Sequence, residues 1–234
     1  VAPIILKGAK WYRGLGLGDH AGTKLVSVSG DIQKPGNYEV PFGLPLLTLL
    51  DDWCGGAPEG RTTQAVTMAG LSGGFLAHDD LDVTLDEPSI RAKGAFLGAA
   101  GIMVFDDTRN MVEVAHCAME FFAEESCGKC FPCRLGMEHL LEIIERVANC
   151  KSIPGDMDLV QEVGTTMESS SLCGHGQLGF GPIRSAMTHF KEDFRRHIED
   201  GKCPTGSCYI RRITPKNTRP YAKDFVPGEH YVKP

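Results

Sequence analysis

No stretch of this 234-residue sequence approaches the roughly 18 to 20 uninterrupted apolar residues needed to span a bilayer. The opening VAPIILKGAKW is too short to do so and lacks a signal-peptide cleavage pattern, so the expected compartment is the cytoplasm, peripheral to a membrane complex at most. Positive charge is also short: 24 Lys and Arg face 30 Asp and Glu, a formal net charge of −6. That balance excludes a basic nucleic-acid binder, and no nucleic-acid partner is expected. With 42% hydrophobic and 23% charged residues, the composition excludes disorder and collagen-like structure as overall descriptions. A paired disulfide framework is missing too. The nine cysteines are odd in number, and Cys127, Cys130 and Cys133 fall within seven residues, the distribution of a metal site.

A nucleotide loop is likewise absent. GLGLGDHAG, with Gly14, Gly16, Gly18 and Gly22, superficially suggests one, but the fingerprint needs a strand before it and a helix opening at its last glycine. Here a strand-like run, Thr23 to Val28, follows instead, so residues 1–22 are read as a flexible linker. Lys24 to Gly30 alternates as a strand, Asp31 to Gly36 supplies turn chemistry, and Asn37 to Val40 returns as a hairpin. Leu46 to Trp53 reads as a short helix stopped by Cys54-Gly55-Gly56, followed by strands at Ala65 to Met68 and Gly101 to Phe105. Residues 23–105 therefore form a small α+β module.

From Asp106 the apolar period changes from 2 to 3.6. Positions 111, 115, 118 and 122 mark one helix; 137, 140, 141, 144, 147 and 148 a second; 160, 163 and 167 a third; 183, 187, 190, 194 and 198 a fourth. Asp106 or Thr108 is expected to cap the first and Asp156 the third, with Pro182 in the first turn of the fourth. The fold class is α+β, a small sheet module followed over 106–200 by a four-helix bundle, with an extended tail at 201–234.

The specific chemistry sits in two loops: Cys127, Cys130 and Cys133 between the first two helices, and Cys173 between the last two. A bundle brings both loops to one end. Two residues between successive cysteines aim three sulfurs at one small inorganic core, and a fourth arrives from a distant loop, the arithmetic of a [4Fe-4S] cluster. Gly128 and Pro132 are expected to keep the ligand loop from continuing as helix. Zinc is the competing reading, although its common sites use paired CxxC knuckles. A catalytic thiol paired with His139 or His175 lacks a recognisable oxyanion hole or orienting acid. His175 reads as a neighbour of the site, not a ligand, and Cys54, Cys117 and Cys150 as small packed hydrophobes. A second candidate metal site, for zinc, is Cys203 and Cys208, with His197 upstream.

With ESCGKCFPCR and SLCGHGQ separated by thirty-nine residues between Cys133 and Cys173, the sequence resembles the NADH-oxidising flavoprotein subunits of respiratory complex I and of NAD-reducing hydrogenases and NAD-dependent formate dehydrogenases. GAKWYRGLG and GTKLVSVSGDIQKPGNYEVPFG resemble the stretch leading into and through that family's β-grasp (SLBB) module, and the closing KCPTGSC is more similar to the hydrogenase and dehydrogenase members. The resemblance implies that Cys127, Cys130, Cys133 and Cys173 hold one [4Fe-4S] cluster. It also implies that FMN and NAD(H) bind in a domain N-terminal to the SLBB module; the sequence starts where that domain would end, and none of its residues is assigned to either. The implied role is relay of single electrons between flavin and the clusters of iron–sulfur and catalytic partner subunits. Lys129 and Arg134 are candidate cations that favour a reduced cluster, with solvation or contact with a partner as equal alternatives.

Overall fold

The computed structural model describes residues 1–206. Strands β3 (Thr23–Gly30), β4 (Gly36–Pro41), β5 (Thr63–Thr67), β6 (Phe75–Ala77) and β7 (Gly101–Asp106) form one mixed sheet in the order β4-β3-β7-β5-β6. The central strand β7 runs parallel to β3 and antiparallel to β5. A parallel pair needs a long crossover, and residues 31–100 supply it. Before the sheet lie α1 (Ala2–Lys7), α2 (Ala9–Arg13) and a ribbon of β1 (Gly16–Leu17) with β2 (His20–Ala21). The glycine-rich segment is thus a hairpin where a loop is expected. Its two-residue connection, Gly18-Asp19, has Gly18 at φ 54°, the geometry of a tight hairpin turn.

Period-2 alternation gives the sheet two apolar faces. Val26, Val28, Val66, Leu76, Ile102 and Val104 pack with Leu46, Leu49, Leu50, Leu81 and Leu97 on one side. Ala65, Phe75 and Phe105 pack on the other side against the C-terminal helices, with Phe75 and Phe105 edge to face at 5.9 Å. Burying each such large side chain contributes about 1.5–3 kcal/mol. The expected strands are all present. The expected helix at 46–53 is a π-helical turn, Thr48–Trp53, with Leu49 and Leu50 buried. Two further elements, β6 and α3 (Glu87–Ala92), accompany them; α3 is capped by Asp86, whose Oδ1 accepts from Ser89 N at 2.9 Å.

The helical layer comprises α4 (Met111–Glu124), α5 (Phe131–Ala148), α6 (Asp156–Ser170), α7 (Gly174–Leu178), α8 (Gly181–His189) and α9 (Lys191–Ile198). The single run expected over 183–198 is broken at Phe190, whose φ −117° and ψ 45° leave the helical region. Pro182 sits in the first turn of α8 as expected. Two expected caps are corrected. Asn110 caps α4, its Oδ1 accepting from Val112 N at 3.0 Å, because Asp106 is committed to Thr108 and Arg61. Gly155 precedes α6 in a left-handed conformation, while Asp156 closes the α5–α6 turn through Arg146 (2.5 Å), Ile153 N (3.0 Å) and Ser152 Oγ (3.2 Å). At the free edge of the sheet, Phe75 N donates to Ser185 Oγ of α8 at 3.0 Å, so the helical layer covers β6.

Burial alone would raise the Asp156 carboxyl, but hydrogen bonds from Arg146 and the Ile153 N–H hold it below the ordinary carboxylate range; Asp106 is held down in the same way by Thr108 and Arg61. A carboxyl depressed by folding stabilises the native state above its unfolded pKa of about 3.9 and withdraws that stability as pH falls through the depressed value. Urea unfolding should therefore be flat above about pH 5 and weaken below about pH 4. Asp156→Ala should cost about 1.5–3 kcal/mol at neutral pH and shrink that acid-side loss, measured as unfolding midpoints across pH.

Candidate metal centre

Both cysteine loops lie at one end of the helical layer. The chain leaves α4 at Glu124, crosses residues 125–130 and enters α5 with Cys130 at the N-cap position and Cys133 in the first turn. Gly128, at φ 69°, bends this loop through a conformation that other residues rarely adopt. Pro132 plays a different part from the one expected. It lies in the first turn of α5, where its missing N–H is harmless and its fixed φ helps start the helix. Cys173 takes the N-cap position of α7, and its carbonyl accepts from Gln177 N at 3.1 Å.

The second loop reaches the first because small residues allow close approach. A Cβ on Gly136 of α5 would collide with Met167 of α6, and one on Gly164 of α6 with the Phe180 ring. At Gly176 a Cβ would stand 2.5 Å from Ser171 Oγ and 2.9 Å from Cys133 Cβ, so α7 lies directly against the ligand-bearing turn of α5. His175 fastens the same contact: its Nε2 is 2.9 Å from the Phe122 carbonyl of α4 and its ring is 5.1 Å from the Phe122 ring. The histidine is therefore engaged with α4, in keeping with its reading as a neighbour of the site. His139 lies on the exposed face of α5 near Glu142, away from a nucleophilic role.

The thiols share one electrostatic environment. Cys133 is buried, whereas Cys127 and Cys173 are exposed and Cys130 is half-buried. Burial pushes the Cys133 thiol up, the Ser126 hydroxyl 3.4 Å away opposes that, and Cys130, Cys173 and Cys127 all add to the upward push. The Leu172 N–H, from the distant loop, is the main influence holding the Cys130 thiol down, with the Cys133 N–H second. Four thiols from two loops, supported by N–H and hydroxyl donors, are a donor set suited to iron–sulfur chemistry. Among the described residues, no group of three or more His, Cys, Asp or Glu side chains is gathered around one point as for a single metal ion.

Exposed apolar side chains lie in or next to both loops: Phe131 is 66% and Leu172 74% exposed, and Phe121, in the last turn of α4, is exposed as well. Lys129 and Arg134 are also exposed. Ser126, Ser171, Leu172 and Gly176 are contributors that the cysteine spacing does not reveal. The glycine three residues after Cys173 is the one local sign of close approach. Of the second candidate site, Cys203 Sγ lies 3.5 Å from Thr205 Oγ1, and Cys208 lies outside the described residues. Cys54 is fully buried in the sheet core, while Cys117 and Cys150 are half-buried. No helix among the described residues is long and apolar enough to cross a membrane.

Residues 113–197 match the NADH-ubiquinone oxidoreductase-F iron-sulfur binding region, and residues 25–75 match the SLBB domain. The NADP-reducing hydrogenase subunit HndC of Solidesulfovibrio fructosivorans is 38% identical over 208 residues, covering 89% of this chain and 42% of that protein. The F 2 subunit of the NADH-quinone oxidoreductase of Rhizobium meliloti (strain 1021) is 36% identical over 204 residues, covering 87% of this chain and 48% of its own length. An NAD+-reducing [NiFe]-hydrogenase, solved in the H2-reduced state, superposes with a TM-score of 0.74 at 34% identity, over 85% of this chain and 33% of that one. The chain thus spans less than half the length of these relatives.

Two substitutions test the seating of the second loop. Gly176→Val should overpack the Ser171–Cys133 contact and cost about 1–3 kcal/mol. His175→Ala should cost about 1 kcal/mol by removing the hydrogen bond to Phe122. In both, hydrogen–deuterium exchange is expected to rise over residues 171–178 while the amides of β3 and β7 keep their protection. Uniform loss of protection across the chain would contradict a local role.

Proposed function

We propose that this chain is the SLBB and iron–sulfur portion of a relative of the NADH-quinone oxidoreductase F subunits and their hydrogenase counterparts, and that Cys127, Cys130, Cys133 and Cys173 bind one [4Fe-4S] cluster. The observation that carries this reading is the approach of two loops. Leu172 and Gly176, on either side of Cys173, meet Cys130 and Cys133 across more than forty residues of intervening sequence. The donor set fits the group: four thiols, a burial gradient from Cys133 outward, and N–H donors aimed at sulfur. We read residues 23–105 as an SLBB-type β-grasp and 106–200 as the bundle that carries the site, with the sheet as a rigid platform under it.

Such a cluster, when bound, takes up and gives back one electron at a time, while a nicotinamide exchanges two as hydride, so a flavin must stand between them. The role assigned to this chain is conduction. Cys133 and Cys130 fix the inner side of the site from the rigid start of α5. Cys127 and Cys173 close the outer side. The N-terminal turn of α5 contributes positive partial charge near the sulfurs, which favours thiolate and the more negative reduced state. Buried Phe122, Met137 and Met167 exclude water from behind the site. FMN and NAD(H) are assigned to the length of the relatives that this chain does not span. Iron–sulfur and catalytic subunits of the same oxidoreductase are the proposed partners, reached across the exposed Phe131–Leu172 rim. We favour a hydrogenase or an NAD-dependent formate dehydrogenase as the setting, with NADH-quinone oxidoreductase as the second reading.

Iron and acid-labile sulfide analysis of anaerobically purified protein should give about four of each per chain, with absorption near about 400 nm. Cys173→Ala should lower the iron content and bleach that band. A colourless protein holding zinc would overturn the assignment, and full cluster content in the variant would remove Cys173 as a ligand.

A further inference from the structure

Ser171 is the C-cap of α6, and its backbone is pinned at both ends. Its N–H donates to the Met167 carbonyl at 3.0 Å, and its carbonyl accepts from Gln177 Nε2 at 3.0 Å. The side chain differs. Ser171 is only 6% exposed, and its Oγ has no hydrogen-bond partner among the described residues. Neighbouring hydroxyls avoid that state by bonding back to their own helix: Ser169 to the Thr165 carbonyl at 3.0 Å, Ser185 to Gly181 at 2.8 Å and Thr188 to Arg184 at 2.8 Å. The Ser171 hydroxyl makes no such bond among the described residues. The hydroxyl instead lies against Gly176, at the point where that glycine also meets Cys133. A buried hydroxyl without a partner is costly, and an acceptor on the Cys133 side of Gly176 would remove that cost.

Resting on the cluster assignment above, we propose that the Ser171 hydroxyl donates a hydrogen bond to a sulfur of the bound cluster on its Cys133 side and thereby raises the cluster's midpoint potential. Reduction adds negative charge that spreads onto the sulfurs, so a donor aimed at one of them stabilises the reduced form more than the oxidised form. Ser126, 3.4 Å from Cys133 Sγ, supplies a comparable hydroxyl from the first loop. Ser171 supplies one from the second, and is a positioning and tuning residue, not a ligand.

The test compares anaerobically purified protein with Ser171→Ala, reading iron and sulfide content first and then the midpoint potential by EPR-monitored redox titration. The expected result is unchanged content with a potential shifted to more negative values. Ser171→Thr and Ser171→Val form a second comparison, equal in shape and differing in the hydroxyl; Thr is expected at the higher potential, whatever packing cost the two share. Equal potentials in Ala and unmodified protein, or in Thr and Val, at equal iron content would overturn the proposal, as expected if a trapped water satisfies the hydroxyl. Unmodified protein without iron and sulfide would overturn the cluster assignment itself and this inference with it.

Discussion

Close approach between helices is the constraint on which the rest of this structure depends. The first cysteine loop is local, three thiols on one bend of chain, and would form around any helix start of this kind. The fourth thiol belongs to another loop and reaches the same place only because Gly136, Gly164 and Gly176 have no side chain to hold α5, α6 and α7 apart. Met167, Phe180, Ser171 and Cys133 fill the room so created. The glycines are ordinary liabilities inside helices, costing helix propensity, and their presence is repaid only through tertiary packing. The site is therefore a property of the packed layer and not of either loop.

Electrostatics does a parallel job at the joints between layers. Asp31 takes a two-pronged hydrogen bond from Arg109, at 2.6 and 2.7 Å, and also accepts from the Asp106 N–H. Asp106 in turn holds Arg61 and Thr108. These contacts tie the end of β3, the end of β7 and the lead into α4 into one network. Asp156 and Arg146 do the same for the α5–α6 turn. In each case a largely buried carboxylate faces a partly exposed guanidinium, so the charge taken from water is matched while the arginine keeps some hydration.

Much of this was legible in the sequence where the deciding physics is local. Alternation in Lys24 to Gly30 marks a strand whatever surrounds it, the 3.6 period at 111 to 122 marks α4, and the cysteine spacing marks a thiolate site. What was illegible depends on partners distant in the chain. The three residues of β6 are a strand because β5 and Ser185 satisfy their backbone, and nothing within Phe75–Ala77 announces that. Asp106 was a plausible cap until Arg61 claimed it, leaving the cap to Asn110. At Phe190 the backbone leaves the helical region, a break that the smooth apolar period over 183–198 hides. Ser171 reads as one more polar residue in a serine run. Only folding separates it from Ser169, two positions earlier, which bonds back to its helix.

The sheet whose two sides are both apolar carries a further consequence. Phe75 and Phe105 point to the helices while Leu76 and Val104, their immediate neighbours in the chain, point the opposite way. Excising either half at the apparent seam near residue 105 would leave the remainder with a bare greasy wall, prone to clump. Genetic shuffling of these parts is thus constrained to move them together, as one cassette whose halves share a common partition.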